Sequence, residues 1–386
     1  MERSTQCPPI AIIGAGPFGL SLAARLEKAA VPYLIFGRPF DAWIRMPQGL
    51  LLRTKLNAGF DPFGDRSFRV FIEEHEVDIG DGTQPIPREL FIEYFQWFMR
   101  RTEIRVQEHY VRRIEKDGAH FVLKFESQTI NARAVVVATG ISEHAYVPAE
   151  YSQMIPAYQW AHTADAHDMQ RFKDKRVLVI GGRAAGLEWS ALLAEAGATV
   201  ETVYRHTTPQ FQAPDWTVLK QIVEGTLRDP AWFKHLTETD REEIVSKVRP
   251  AGKQKVEPWL ASRMSHPNIT LRPCTKVVRL TKEEDRVRVI VRHNNVLVEL
   301  QPVDFVIFAT GYKPALANIS VLAESLHQEI ASHEGYPLLT EHFESSVPGL
   351  YFTGLIAEKE FGPLMGFVNM CNASASILEK KLAGDS

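Results

Sequence analysis

The sequence predicts an α/β protein of two parallel-sheet units, the second inserted into the first, with a helical excursion. Three observations predict it. An apolar run opening into a glycine-spaced turn occurs twice, at 10–19 and at 177–186. Two buried-type strands end in the same tripeptide, Ala138-Thr139-Gly140 and Ala309-Thr310-Gly311. The length of 386 residues exceeds one ordinary domain.

The first unit opens with an apolar strand at 10–13, followed by Gly14, Gly16 and Gly19. Apolar Leu20, Leu22, Ala23 and Leu26 continue at helical spacing, and 31–36 reads as the next strand. Gly14 suits a tight turn, Gly16 lets the backbone approach a pyrophosphate, and Gly19 lets helix and strand pack closely. Pro17 and Phe18 complete this turn. A diphosphate there would rest on helix N–H groups carrying partial positive charge. The second strand of such a unit usually ends in an acidic residue that binds ribose. Gly37 and Arg38 stand there instead, so ribose contact falls to backbone near Gly37 or to the Arg38 side chain.

The second unit begins with an apolar strand at 177–180 and the turn G-G-R-A-A-G at 181–186. A helix at 187–196 and a strand at 198–204 follow. Gly181, Gly182 and Gly186 are retained, and Arg183 takes the central glycine position. Its side chain crowds a pyrophosphate in the usual pose but also offers it a charge-assisted bond. Arg205 and His206 follow the next strand. A basic residue there suits the 2′-phosphate of NADPH over the bare ribose of NADH. Two such starts about 170 residues apart imply two Rossmann-like dinucleotide-binding domains. The expected division is 1–150 with 303–386, and 151–302.

Stretches at 121–125, 287–291 and 296–300 alternate and read as antiparallel hairpin strands. Residues 209–262 carry Trp216, Trp232 and Trp259 and charged helical runs. They read as a largely helical excursion, a candidate cap over the active site, with the three indoles favouring packing over substrate stacking.

Apolar residues are 45% and charged residues 24%, with a net charge of −3. That mixture buries a core without staples and argues against a nucleic-acid binder held by phosphate contacts. The cysteines, Cys7, Cys274 and Cys371, form no C-x-x-C pair. This excludes a structural zinc site of the usual spacing and a local redox dithiol, and fits a reducing cytoplasm. No signal-peptide core and no apolar run of ~20 residues is present. A cytoplasmic enzyme without metal, membrane or nucleic-acid partner is expected, with a homodimer as the default assembly.

Together these residues resemble the two-dinucleotide-binding-domain flavoproteins, and among them the flavin-containing and class B flavoprotein monooxygenases. The resemblance is carried by 14–19, 138–140, 181–186, Phe308-Ala309-Thr310-Gly311-Tyr312 and the segment 348–355, which ends Thr353-Gly354-Leu355. A narrower likeness, to a bacterial subgroup that includes FAD-dependent urate hydroxylases, rests on 181–183, Glu188-Trp189, Asp215-Trp216, 229–233 and 257–260. Arg183 is ordinary for that subgroup, but Ala184-Ala185 stands where a Gln-Ser pair is expected. The F-x-G-x-x-x-H motif is mostly absent: His162 matches its histidine, while Pro156 and Tyr158 hold the other positions.

The resemblance implies FAD in the first unit and NADPH in the second, with O2 and a small-molecule substrate as partners. NADPH reduces FAD, O2 adds to the reduced flavin, and a C4a-(hydro)peroxyflavin hydroxylates a small metabolite, heteroaromatic ones included. Water must be kept out of such a site. The first turn, Gly37, Arg38, Thr139, Gly140, Gly354 and Leu355 are implied FAD contacts. Segment 43–64 is implied to lie by the flavin ring, with Trp43 and Arg45 as contacts and Arg53, Thr54 and Lys55 as catalytic candidates. Relatives that oxygenate nitrogen carry asparagine where Lys55 falls, and Asn57 is out of register. The second turn, Arg205, His206, Thr310 and Gly311 are implied nicotinamide-cofactor contacts, and Tyr312 is a catalytic candidate lining the cleft. The apolar turn 361–367 reads as pocket wall or core. His144, His162 and His206 are surface candidates, with no base assigned. The alternative is an FAD-dependent oxidase or dehydrogenase with a vestigial nicotinamide domain.

Overall fold

The computed structural model describes residues 8–53, 59–80, 85–165, 168–212, 217–251 and 255–384. Two five-stranded parallel sheets organise them. The first has the order Leu350–Phe352, Ala134–Val137, Ile10–Ile13, Tyr33–Phe36, Val106–Gln107. Parallel strands are covered on both faces. Ile10–Ile13 and Ala134–Val137 are accordingly apolar and buried at every position. Helix Pro17–Lys28 has proline at its first position, where no N–H is needed. It packs on the final helix, Cys371–Gly384, through Ser21 Oγ donating to Asn372 Oδ1 at 2.6 Å and an Arg25–Glu379 pair at 3.1 Å.

The second sheet repeats this plan: Trp160–His162, Phe305–Phe308, Arg176–Ile180, Thr199–Val203, Ile269–Arg272. Before its Ala-Thr-Gly strand each unit carries a three-stranded antiparallel sheet. One is Arg113–Asp117, His120–Lys124 and Thr129–Ala132; the other is Thr275–Glu283, Arg286–His293 and Val296–Val303. The expected boundary at 303 is corrected here. Phe305–Phe308 pairs on both sides within the second sheet, so that unit runs past 303 through Phe308. The physical reason is the duplication itself, since the strand before each Ala-Thr-Gly completes its own sheet.

The chain crosses between sheets twice, and the crossovers pair with each other. Ala145 bridges Tyr312, the Tyr146 N–H donates to Gly311 O at 2.9 Å, and the Lys313 N–H donates to His144 O at 2.8 Å. The helical excursion comprises Thr217–Arg228, Glu238–Ala251 and Leu260–Met264. Its first two helices dock on the first unit, while Leu260–Met264 stays on the second unit's helix Ala184–Glu195. Leu219, Ile222 and Ala231 are buried in the first unit's core, and Lys234 Nζ meets the buried Glu360 Oε2 at 2.6 Å. Trp232 packs on Phe233 and donates its N–H to Thr226 Oγ1 at 2.8 Å, and Trp259 joins an apolar cluster around Leu260. Asp215 and Trp216 lie outside the described residues. Among the described residues no helix is long and apolar enough to cross a membrane. Nor is there, among them, a cluster of three or more His, Cys, Asp or Glu side chains that could hold a metal ion.

Candidate functional site

The first turn leaves strand Ile10–Ile13 at Gly14, whose φ is +118° and whose N–H donates to Phe36 O at 2.9 Å. A Cβ at residue 14 would lie 2.2 Å from the Ala138 carbonyl oxygen, and one at residue 19 would lie 1.9 Å from Gly14 O. These two glycines are required by the fold. Gly16 is different. Its φ of −89° suits any residue, and a Cβ there would meet nothing within 4 Å. Helix Pro17–Lys28 starts without a side-chain cap, and its first intrahelical bond is Leu20 N–H to Gly16 O. The Phe18 and Gly19 N–H groups therefore have no helical partner. Gly37, φ +121°, lies against Gly14 and Ala15. Gly354, φ +81°, lies over the Phe18 ring and leads into Leu355. Thr353, one residue earlier, is buried with Oγ1 unpartnered among the described residues. An open backbone cradle, free helix amides and an orphaned hydroxyl fit a dinucleotide such as FAD.

The second turn has the same build. Gly181 has φ +129° and donates to Val203 O at 3.0 Å; a Cβ there would lie 2.3 Å from Ala309 O. A Cβ at residue 186 would lie 1.9 Å from Gly181 O. Arg183 holds the N-cap position of helix Ala184–Glu195 without a side-chain capping bond, at φ −97° and ψ −174°, close to the −89° and −171° of Gly16. Arginine is thus accommodated without backbone strain. The Tyr204 ring covers Gly182, leaving a Cβ only 2.2 Å from it. The Arg183 guanidinium is pushed below its ordinary range, first by partial burial and then by the like charge of Arg205. Two cations beside an uncapped helix start fit an anionic nucleotide. The His206 ring lies tilted beside Tyr204, with centroids 5.1 Å apart and its Nδ1 on Thr207 O.

The remaining candidates divide. Thr139 and Gly140 follow strand Ala134–Val137 beside Gly14. Gly311, φ +82°, and Thr310, whose hydroxyl donates to Tyr146 O, belong to the crossover. Tyr312 is 39% exposed and meets the His162 ring edge-on. Trp43 packs against Phe40 and Phe91 in the aromatic core. Arg45 pairs with Asp41 at 2.8 Å, beside Tyr110. Arg38 also acts on Tyr110, so Arg45 gathers with Arg38 near the end of the second strand. Thr54, Lys55 and Asn57 lie outside the described residues. In 361–367, Phe361, Leu364 and Met365 are core, Phe361 stacking on Phe343 at 3.7 Å, whereas Phe367 is 58% exposed.

The histidine expectation is corrected. His144 and His162 are 1% and 2% exposed, and burial lowers both pKa values; of the three candidates, His206 alone reaches the surface. Different surroundings explain the burial: His144 lies on the crossover, its carbonyl accepting from the Lys313 N–H, while His162 ends the strand Trp160–His162 beside Phe308, with the Tyr312 ring edge-on to it.

One residue stands out that the glycine patterns do not reveal. Glu188, in an otherwise apolar helical run, is 8% exposed, and its Oε1 has no hydrogen-bond partner among the described residues. Burial pushes its carboxyl up to about 7, against smaller opposing effects of Arg53, the Leu51 N–H and Arg263. The folded pKa lies above the unfolded one. Its favourable contribution is therefore complete below about pH 4.5 and is lost as pH rises through about 7. Between roughly pH 4 and 8, the wild-type chain should lose about 3 kcal/mol relative to Glu188→Gln. Chemical denaturation of both proteins at the two pH values checks this; a stability difference independent of pH would refute the raised carboxyl.

A family model described as pyridine nucleotide-disulphide oxidoreductase matches residues 11–229. The FAD-dependent urate hydroxylase of Xanthomonas campestris pv. campestris is 26% identical over 210 residues, covering 50% of this chain and 44% of that protein. An indole-3-pyruvate monooxygenase of Oryza sativa subsp. japonica is 28% identical over 216 residues, covering 53% and 50%. The chain thus spans about half the length of the curated relatives it matches. An ornithine N-hydroxylase from Kutzneria sp. 744 superposes with a TM-score of 0.82 at 19% identity, covering 98% of this chain and 100% of that one. L-lysine 6-monooxygenase from Pseudomonas syringae gives 0.75 at 18% identity, with 97% and 99% covered. Likeness at that identity establishes the fold. With more than half of its length matched, and with both nucleotide turns built alike, the chain belongs to the pyridine nucleotide-disulphide oxidoreductase family.

Proposed function

We propose that the chain is an FAD-dependent monooxygenase that draws electrons from NADPH and hydroxylates a small molecule. Heteroaromatic metabolites are the first class to test. The observation that carries this reading is the pair of equivalent turns, one left open at Gly16 and the other flanked by Arg183 and Arg205. The urate, indole-pyruvate, ornithine and lysine oxygenating enzymes among its relatives support it. Disulfide chemistry is disfavoured. No C-x-x-C exists, and the buried Cys371 thiol is pushed up to about 12.

Bound FAD would supply the electron transfer and oxygen activation. The chain's own residues hold and orient. Free Phe18 and Gly19 N–H groups receive the pyrophosphate, Gly16 leaves it room, and Thr353 Oγ1 offers a hydroxyl. Arg183 and Arg205 neutralise the phosphates of NADPH. Tyr312 and Arg53 are retained as the catalytic candidates within the described residues. Per turnover, one NADPH, one proton, one O2 and substrate R–H give NADP+, R–OH and water. Three cysteines without a C-x-x-C pair support a cytoplasmic setting, and a homodimer is the assembly we expect.

Anaerobic addition of NADPH to the FAD-loaded protein tests this. Bleaching faster with NADPH than with NADH, then an oxygenated product on admitting O2 and substrate, is expected. The Tyr204 ring across Gly182 favours a second reading, a flavin oxidase or dehydrogenase with a vestigial nicotinamide domain. Absence of bleaching by either nucleotide, with or without substrate, would establish that reading instead.

A further inference from the structure

The two glycine turns share their hydrogen bonds but not their packing. The Gly14 N–H donates to Phe36 O and the Gly181 N–H to Val203 O, so Gly37 and Tyr204 hold the same place just past their strands. Ala15 and Gly182 likewise hold the same place within their turns. The first unit sets a methyl side chain in the turn against glycine at the strand end. The second exchanges the sizes, with glycine in the turn and tyrosine at the strand end. Gly182 lacks the left-handed φ of Gly181, so its own backbone does not call for glycine. The Tyr204 ring does, because three of its carbons would lie 2.2–2.6 Å from a Cβ at residue 182.

Tyr204 is 3% exposed and is tied down along its length. Its N–H donates to Arg272 O at 3.2 Å, and its carbonyl accepts from the Thr275 N–H at 2.8 Å. Its hydroxyl lies 2.9 Å from Thr208 Oγ1. Two residues on, His206 O accepts from the Cys274 N–H at 3.0 Å. The exposed Arg205 thus stands between two residues bound to one segment, 272–275, in a turn that the Tyr204 and Thr208 hydroxyls close. Arg272, the cation on the neighbouring strand, is already engaged by the buried Glu201, Nε to Oε2 at 2.6 Å. A side chain whose backbone is ordered in advance loses less freedom when it grips an anion.

We propose that Tyr204 is a positioning residue for the choice of nucleotide: seated on Gly182 and joined to Thr208, it fixes the 204–208 turn so that Arg205 is presented to a 2′-phosphate. Tyr204 acts through Arg205. The inference rests on the reading of the second turn as the NADPH site. On this account the ring over Gly182 supports the adenosine end of the nucleotide, and Arg183, one residue on, stays exposed for the pyrophosphate.

The probes are 2′,5′-ADP and 5′-AMP, which differ only in the 2′-phosphate, titrated calorimetrically into the FAD-loaded protein. The wild type should prefer 2′,5′-ADP at least about tenfold. Tyr204→Phe keeps the ring on Gly182, and Thr208→Val changes an exposed residue, so both variants should fold. Each should cut the preference about fivefold by weakening 2′,5′-ADP, with 5′-AMP held within about twofold. Combining the two should cost no more than either, because they remove the same hydrogen bond. Thr208→Ser retains the hydroxyl and should retain the preference. In an Arg205→Gln background, Tyr204→Phe should change neither affinity further, an outcome that general damage to the domain would not give. A wild-type preference that survives both Tyr204→Phe and Thr208→Val would overturn the inference and leave the NADPH reading standing. A wild type that binds neither probe, or both alike, would overturn that reading and the inference with it.

Discussion

Replacing Gly16 with valine is expected to cost the chain its flavin and leave its fold intact. The backbone at this position, φ −89° and ψ −171°, is extended and open to any residue. A Cβ there meets nothing within 4 Å, so the apo protein should change in stability by no more than about 0.5 kcal/mol. The same space is where a pyrophosphate would approach the free Phe18 and Gly19 amides. Filling it should weaken FAD binding at least about a hundredfold, or about 3 kcal/mol. Gly19→Ala provides the contrast. Its Cβ would collide with backbone, 1.9 Å from Gly14 O, so helix and strand must separate and folding itself should suffer by about 3 kcal/mol or more. Thermal melts of apoprotein together with FAD titrations distinguish the two. A Gly16→Val chain that holds FAD as tightly as the wild type would remove the first turn from the cofactor site.

The second large effect concerns Arg205. Removing a charge-assisted bond to phosphate costs about 1.5–3 kcal/mol, a factor of roughly 10 to 150. Arg205→Gln should lower kcat/KM for NADPH by about a hundredfold and leave NADH within about threefold, because the bare ribose has no 2′-phosphate to lose. Arg183→Ala should instead penalise both nucleotides alike, since a pyrophosphate bound at the helix start where Arg183 stands would be common to both. Arg205 and Arg183 are exposed, so neither substitution should disturb melting. Equal losses with NADPH and NADH in Arg205→Gln would show that this side chain does not read the 2′-phosphate.

Both turns were legible as sequence because their constraints are local. Gly14 and Gly181 need positive φ, and Gly19 and Gly186 need bare backbone five residues further on. Such demands leave few alternatives, and the Ala-Thr-Gly strands repeat because each closes the sheet beside its turn. Other features were hidden. The ring over Gly182 belongs to Tyr204, which the sequence marks only as the residue preceding a basic pair. His144 and His162 look like ordinary polar residues in linkers, yet the paired crossovers enclose the first and the second sheet's edge strand buries the second. The sequence marked Glu188 only as half of the Glu188-Trp189 pair, and that pair does not say what faces it.

The sequence by itself determined the two α/β units, the glycine turns and the nucleotide-binding class, because backbone geometry and side-chain period are encoded within a few neighbouring residues. Tertiary structure alone decided which sheet Phe305–Phe308 completes, where the helical excursion docks and what surrounds Glu188. Those outcomes depend on contacts between distant segments. Several partners of similar hydrophobicity compete for each buried face, and only packing the whole chain selects among them.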